Sequence, residues 1–523
     1  MKQKLFMLVW DMDVNKGGIN RVMLNRSSLL SEYYDVTLLT LDFKVNYDNI
    51  QEDLLKIGRL NNNVNILNIH DYYRDKYDNG KLTGSQVNYY KEQVVLKEAG
   101  YQVQDDEVKT KNYARYFKNG TYTKYKKWNK DGMLLHIDHF NEQRNRLSRE
   151  HFLPDGFLYR KTFFDLQLNK PVQDLFFTKE GKCFLSKWYN PKEGNVIKVF
   201  LINPKDNSVK MFSNNREFNT FWLTELSLKV HQKPIVICDG PGSTSVMLNV
   251  SSDLIYKISA IHSNHFSSPY KYGSPIKKNH LTILENINNF DALVVLTESQ
   301  KEHILKQYGQ HDNIHVIPHF IEPLTKDIVN KDPKLITMVA RYHAEKNIDL
   351  AILAFRKVVD KVPDAKLEIY GDGPDVNRLK SLIEEHNLKN NVFLKGYLNK
   401  VENAFSKSLA SLLTSKYEGF SLVILESMAC STPVISFDML YGPKDIIINE
   451  VNGILIPNSD TDLLAEKVIW LLENPTVAKD MGLNGKKYVL EKYAVKKHKK
   501  DWLNLLTPLK SKKKWIDRLN PLK

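Results

Sequence analysis

Two carboxylates, Glu418 and Glu426, stand eight positions apart in the run YEGFSLVILESMAC, with Gly-Phe-Ser after the first. Leu422, Val423, Leu425, Met428 and Ala429 recur at roughly helical spacing, so a helix is predicted to start near Ser421. Serine is a favoured N-cap, and Gly419 lets the chain turn tightly before it. Such a start aims free backbone N–H groups, and the positive end of the helix dipole, at whatever lies ahead of Ser421. An anion fits there. Glu418 would stand at the mouth of that site and Glu426 between one and two turns inside the helix. A ligand that carries both a phosphate and hydroxyls would satisfy the whole set.

A second group lies upstream. Arg341 and Lys346 in VARYHAEKN follow the apolar run LITMVA, so their loop is predicted at the carboxyl end of a strand, where ligands bind in doubly wound sheets. Arginine offers a planar fork and lysine a point charge, a division suited to a diphosphate. Near the N-terminus Gly17 and Gly18 separate a strand from a helix, a place where a phosphate could approach backbone N–H groups or where the chain simply turns. DMD (11–13) imitates a metal-binding Asp-x-Asp but has no ligand set around it. GDGP (371–374) lacks the third glycine of a dinucleotide fingerprint, and no G-x-x-x-x-G-K-[ST] occurs. His262 and His265 in HSNHF lack a third ligand nearby, which favours a structural or substrate-contact role over a metal pair. Cys430 reads as a packed helix residue.

The elements that must position these residues fall into three textures. Residues 1–75 begin with the strand-like KLFMLVW, then DMDVNKGG, the helix-like INRVMLNRSSLLSEY and the strand DVTLLTLDF. From about 80 to 225 short aromatic strands alternate with turns, as in YARYF-KNG-TYTKYKKW-NKDG-MLLHIDHF, which is hairpin chemistry. Strand–helix alternation returns at PIVICDGPGS and opens a second unit at KLITMVARYHAEKN. Such alternation predicts parallel, doubly wound sheets, twice over. The expected division is 1–78 with 226–328, an inserted antiparallel β-meander at 79–225, a second Rossmann-like domain at 329–500, and a Lys-rich tail at 501–523.

The 523 residues carry 75 Lys and Arg against 61 Asp and Glu, a net charge of +14 that favours an anionic partner. The three cysteines are far apart, so a disulfide framework or zinc spacing is excluded and a reducing cytosol is expected. No run approaches the length of a membrane span, and MKQKLFMLVWD is too short in apolar residues for a signal peptide.

The ordered series ARYHAEKN, IYGDGPD, LKGYL and YEGFSLVILESMACSTPVI resembles the C-terminal half of a retaining GT-B glycosyltransferase. With DVNKGGINRVMLNR and the inserted meander, the chain is similar to the wall teichoic acid α-glycosyltransferases, the poly(glycerol-phosphate) α-glucosyltransferases and their poly(ribitol-phosphate) relatives. The resemblance implies a GT-B fold of two Rossmann-like domains facing a cleft. It also implies a UDP-sugar donor, glucose or N-acetylglucosamine, with no metal and no cofactor. Glu418 would contact the donor sugar, Glu426 the ribose, and the N–H groups of Phe420, Ser421 and Leu422 the diphosphate. Arg341 and Lys346 would stabilise the departing phosphate, and His262 would lie near sugar and acceptor. Gly17, Gly18, Gly396, Tyr397 and Gly419 complete the donor contacts implied.

The acceptor implied is a polyanionic poly(glycerol-phosphate) teichoic acid. Poly(ribitol-phosphate) with N-acetylglucosamine, or a protein O-glycosyltransferase of the same fold, stands as the alternative. A homo-oligomer, expected as a trimer through the insertion, a cytoplasmic location and peripheral contact with the inner face of the membrane complete the expectations. Two other classes are weighed against this. A nucleic-acid-binding protein would use the aromatic, Lys-rich meander, but those aromatics alternate as strand packing requires. A silent scaffold would not need Arg341, Lys346, Glu418 and Glu426 together.

Overall fold

The computed structural model describes residues 2–14, 18–44, 47–78, 80–105, 112–323 and 330–509, with only the backbone of Asp48. Gly17 and the basic stretch 510–523 lie outside the described residues. The chain folds as two compact units, Met1–Pro234 with Ser245–Ile255, and Ile235–Thr244 with the chain from Tyr256 onward.

The first unit opens with parallel strands β1 (Lys4–Val9), β2 (Asp35–Thr40) and β3 (Val64–Asn68), paired in that order. Leu5, Phe6, Met7 and Leu8 are buried in succession, as a strand covered on both faces requires. Gly18, with φ of +58°, heads the helix Ile19–Leu30 that links β1 to β2. The DMD segment is held by a cation of the chain itself: Lys44 Nζ lies 3.0 Å from Asp13 and 3.4 Å from Asp11.

The insertion is a ten-stranded antiparallel meander in strict chain order. Its strands are β4 (Gln102–Asp105), β5 (Tyr113–Lys118), β6 (Thr121–Trp128), β7 (Leu134–Phe140), β8 (Arg146–Phe152), β9 (Leu158–Phe164), β10 (Pro171–Phe177), β11 (Cys183–Tyr189), β12 (Val196–Ile202) and β13 (Val209–Phe212). Between β5 and β6, Asn119 and Gly120 take φ of 50° and 76°, the left-handed pair that a tight hairpin needs. The insertion is not purely β. The helix Gly84–Val94 lies on the meander, with Tyr90 packed on Phe152 at 5.8 Å and Trp128 Nε1 donating to the Val94 carbonyl at 2.9 Å. Strand β8 replaces apolar alternation with paired charges: Arg149 binds Asp138 bidentately at 2.6 and 2.7 Å, and Lys161 binds Glu150 at 2.9 Å. The buried Lys187 donates to His70 Nε2 at 2.9 Å, tying β11 to the helix Ile69–Tyr77. The expected boundary at 225 falls inside the helix Asn215–Leu228, whose Glu225 accepts from Tyr72 and Tyr73.

The second unit contains two parallel sets. Strands β14 (Ile235–Cys238), β15 (Tyr256–Ala260), β16 (Ala292–Val295) and β17 (Ile314–Val316) pair in that order. The other set runs β20-β19-β18-β21-β22-β23, formed by β18 (Asp332–Val339), β19 (Lys366–Tyr370), β20 (Val392–Gly396), β21 (Ser408–Leu413), β22 (Val434–Phe437) and β23 (Gly453–Ile456). This is a doubly wound sheet whose order reverses between β18 and β21, the point at which such sheets bind ligands.

The strands of 235–316 form a parallel set of their own kind, separate from the six-stranded sheet of 332–456. Residues 235–321 are fastened to the last sheet's domain: Asn264 donates to the Leu440 carbonyl at 3.1 Å, Ser299 to Asp445 at 3.1 Å, and the Ile321 N–H to the Tyr493 carbonyl at 3.0 Å. The tail boundary at 501 likewise falls inside the helix Val495–Leu506, which buries Trp502 and Leu506. Among the described residues no helix is long and apolar enough to cross a membrane.

Candidate active site

Three loops lie side by side at the carboxyl ends of β18, β19 and β20. The Ala340 N–H donates to the Tyr370 carbonyl, the Tyr342 N–H to Asp372, and the Gly371 N–H to Gly396, each at 2.9 Å. GDGP is the bed for the first loop. A Cβ on Gly371 would lie 1.9 Å from the Ala340 oxygen, and one on Gly373 2.3 Å from the Tyr342 oxygen. Arg341 projects from this bed with its side chain 71% exposed and its guanidinium 3.0 Å from Glu345. Gly396 closes β20, and Tyr397 beyond it is exposed.

Lys346 is held more tightly. The Thr414 hydroxyl, just after β21, donates to the carbonyls of Lys346 and Asn347 at 2.9 Å, so the loops after β18 and β21 are tied together. Across this tie Lys346 Nζ lies 2.7 Å from Glu418 Oε1, and the Ser415 hydroxyl donates to the same oxygen at 2.7 Å. Lys346 and Glu418 are about equally enclosed, 17% and 16% exposed. The backbone of Glu418 is fixed too, its N–H on the Leu440 carbonyl and its carbonyl accepting from Tyr441.

The next residue brings in the histidine. Gly419 runs directly over the His262 backbone, where an added Cβ would lie 2.1 Å from the His262 oxygen. His262 donates from Nε2 to the fully buried Asp239 at 2.8 Å, which leaves Nδ1 buried without a partner. Its ring lies parallel to His319 at 5.4 Å, and His319 meets the edge of Phe420 at 5.5 Å. The neighbouring His265 is buried neutral: burial pulls it down to about 3. Among the described residues no group of three His, Cys, Asp or Glu could hold a metal.

The helix itself spans Leu422–Ala429. Ser421 occupies the N-cap position but does not cap. Its backbone is left-handed, φ 74° and ψ 83°, which turns the hydroxyl away from the first-turn N–H groups and leaves it buried without a partner. Those N–H groups are therefore not satisfied by a side chain of the cap, the condition under which a helix start receives an anion. Glu426 is buried one turn further in.

Glu418, Lys346, His262, Gly419, Phe420, Ser421, Leu422 and Glu426 thus come together at one end of the second unit's sheet, with Arg341, Gly396 and Tyr397 on the adjoining loops. Gly18 belongs to the first unit. Asp239, His319 and Ser415 were missed from sequence. Asp239 had a signal: an acid directly after the strand PIVIC, at a carboxyl end.

An acid fixed by a cation, an open helix start and a second acid one turn inside thus stand together on a doubly wound sheet. Residues 322–488 match the family model "Glycosyl transferases group 1". The poly(ribitol-phosphate) α-N-acetylglucosaminyltransferase of Staphylococcus aureus (strain COL) is 32% identical over 510 residues, covering 96% of this chain and 99% of the relative. The poly(glycerol-phosphate) α-glucosyltransferase of Bacillus subtilis (strain 168) is 26% identical, covering 93% and 72%. Among solved structures, a mutant of S. aureus TarM in complex with fondaparinux, α-GlcNAc-glycerol and UDP superimposes with a TM-score of 0.85 at 30% identity, covering 96% and 99%. The chain belongs to the wall teichoic acid α-glycosyltransferases, UDP-sugar-dependent transferases of the GT-B fold.

Proposed function

We propose that this protein transfers a hexose from a UDP-sugar, with retention, onto hydroxyls of a poly(alditol phosphate) wall teichoic acid. The observation that carries the reading is the doubly anchored Glu418 carboxylate at the open start of the Leu422–Ala429 helix. Breaking the anomeric carbon–phosphate bond puts negative charge on UDP and positive charge on the sugar ring. Lys346, Arg341 and the helix N–H groups meet the first charge, and Glu418 the second, by electrostatics fixed before the substrate arrives. The departing phosphate takes the proton of the attacking hydroxyl on the same face. His262, with Nε2 on Asp239, presents Nδ1 as an acceptor for a hydroxyl. Glu426 takes the ribose. Protein cations stand where a metal would otherwise serve, so neither metal nor cofactor is required. Gly17 and Gly18 remain candidates for a phosphate contact.

The identity of 32% and coverage of 99% with the ribitol-phosphate relative, against 26% and 72% for the glycerol-phosphate one, favour N-acetylglucosamine and poly(ribitol-phosphate) as the substrate pair. UDP release is to be measured from UDP-N-acetylglucosamine and UDP-glucose, each with poly(ribitol-phosphate) and poly(glycerol-phosphate), in EDTA. Polymer-stimulated release from one donor is expected; no stimulation by either polymer would overturn the reading. The surrounding proposals are a meander domain at 79–225 that joins copies into a trimer, a nucleotide-sugar domain at 329–500, a discontinuous acceptor-side domain at 1–78 and 226–328, and action in the cytoplasm at the inner membrane face. The exposed Val209 and Met211 on the edge strand β13 support the assembly, because an open apolar edge invites pairing.

A further inference from the structure

Lys277 is a cation beside Glu418's loop that the donor reading does not use. It ends a short hairpin that begins three residues after His262. The Ser267 N–H bonds the Pro275 carbonyl at 2.7 Å, Phe266 bridges Ile276, and the Lys277 N–H bonds the His265 carbonyl at 2.8 Å. At the tip, Tyr270 packs on Tyr417 with ring centroids 4.3 Å apart. Tyr417 is the residue immediately before Glu418. Lys277 Nζ sits over the Tyr417 ring at 3.9 Å and 5.5 Å from the Tyr270 centroid.

The ammonium is half-buried on these rings and makes no ion pair among the described residues. Burial pulls it below the ordinary lysine range, and the charge of Glu345 opposes that shift. Glu345 itself is engaged by Arg341 and His343 at 3.0 and 2.8 Å. A cation held on aromatic faces without a carboxylate is poised for an anion that arrives from outside. The donor diphosphate already has Lys346, Arg341 and the helix start, all on loops of the last sheet. Lys277 comes from the other set of strands and stands at the sugar-acid end of the loop. The anion that reaches this end with the hydroxyl to be glycosylated is the acceptor's own backbone.

Resting on the proposed function, we infer that Lys277 binds a phosphodiester of the acceptor chain adjacent to the attacked hydroxyl, on a platform formed by Tyr270 and Tyr417. It is a specificity residue that separates an alditol phosphate chain from a free polyol. The test compares kcat/KM for the polymer with kcat/KM for its phosphate-free unit, ribitol or glycerol, in wild type, Lys277→Gln and Lys277→Arg. Loss of one charge-assisted contact is expected to lower the polymer-to-polyol ratio roughly tenfold or more in Lys277→Gln, mainly through KM. Lys277→Arg retains most of the ratio. An unaltered ratio in Lys277→Gln overturns the inference, as does an equal fall in both variants, which would assign the side chain to packing. A loss of UDP affinity in Lys277→Gln by calorimetry also overturns it, placing the residue with the donor. Wild-type protein that uses no polymer removes the function proposed above and this inference with it, before any variant is compared.

Discussion

Replacing Gly419 by alanine adds one methyl group at the point where the donor loop crosses the His262 backbone. The added Cβ would stand 2.1 Å from the His262 oxygen, 2.6 Å from its carbonyl carbon and 2.7 Å from Ser263 Cα. Real Cβ atoms essentially never approach closer than 3.0 Å, so the backbones must separate by about 0.9 Å. No side chain can rotate away to make room, because all three neighbours are main chain. Gly419 does not adopt a positive φ, so alanine fits its conformation and the whole cost is steric. The displacement is shared by Glu418 on one side and by Phe420 and Ser421 on the other. A misplacement of about 1 Å at reacting groups costs about 100-fold in rate, or about 2.7 kcal/mol. Overpacking of this kind costs about 1–3 kcal/mol in stability, which leaves most domains folded. Steady-state transfer should therefore fall about 100-fold in Gly419→Ala while circular dichroism and cooperative urea unfolding persist. Activity within threefold of wild type would show that the loop does not need this contact, and the account of how Glu418 is positioned would fall.

Glu418→Ala should retain UDP binding and lose transfer, whereas Glu426→Ala should mainly weaken UDP binding; equal loss of UDP affinity by calorimetry would end that division of roles. Burial pulls His280 down to about 4 from an unfolded value near 6.5. Its depressed folded value means that its contribution is complete above about pH 6.5 and is lost as the pH falls towards 4, by up to about 3 kcal/mol. Urea unfolding of His280→Asn should thus show a shallower loss of stability between pH 7 and 4.5 than wild type; parallel losses would refute it. Val209 and Met211 lie two apart on β13 and are 58% and 59% exposed. Lysine at both positions should reduce the mass measured by light scattering if the meander joins copies, and a wild-type monomer at micromolar concentration would refute the assembly.

How much of this was legible from sequence depended on whether the signal was local. Apolar runs such as LITMVA and PIVIC announced buried parallel strands, and Asn119-Gly120 announced a hairpin, because each pattern is set by its own residues. Strand β8, RLSREHF, was not read because its alternation is of charges whose partners, Asp138 and Lys161, come from neighbouring strands. The helix Gly84–Val94 carries few apolar residues and rests on the meander through tyrosines, so periodicity did not reveal it. Ser421 was expected to cap its helix; the left-handed backbone that prevents this follows from tertiary constraints on the loop. GDGP lacks the third glycine of a dinucleotide fingerprint, and the place its glycines take, a bed for Ala340 and Tyr342, required the neighbouring strand. The choice between glucose with glycerol phosphate and N-acetylglucosamine with ribitol phosphate was not legible, since it depends on the shape around the sugar and acceptor.

The arrangement around Glu418 also bears on which route to retention is proposed. A double displacement needs a carboxylate whose oxygen attacks the anomeric carbon; the second carboxyl that a glycosidase adds as acid and base is not needed where UDP departs. Oε1 of Glu418 accepts from Lys346 and Ser415, two donors that fix the orientation of the carboxylate. Glu426 is a full helical turn along the following helix and buried, on the side argued for the ribose. A carboxylate fixed in this way keeps its charge and its orientation, the two properties needed to steady a positive sugar ring and to grip its hydroxyls. Keeping an ion pair this enclosed contributes little net stability, because desolvation offsets the attraction. Its retention is therefore better explained by geometry than by folding energy. With Lys346 bound to the acid and proposed for the phosphate, charge separation along the breaking bond would be met at both ends by groups already tied to one another. That disposition suits attack on the face the leaving group vacates, in keeping with the role in positioning and charge stabilisation proposed for Glu418.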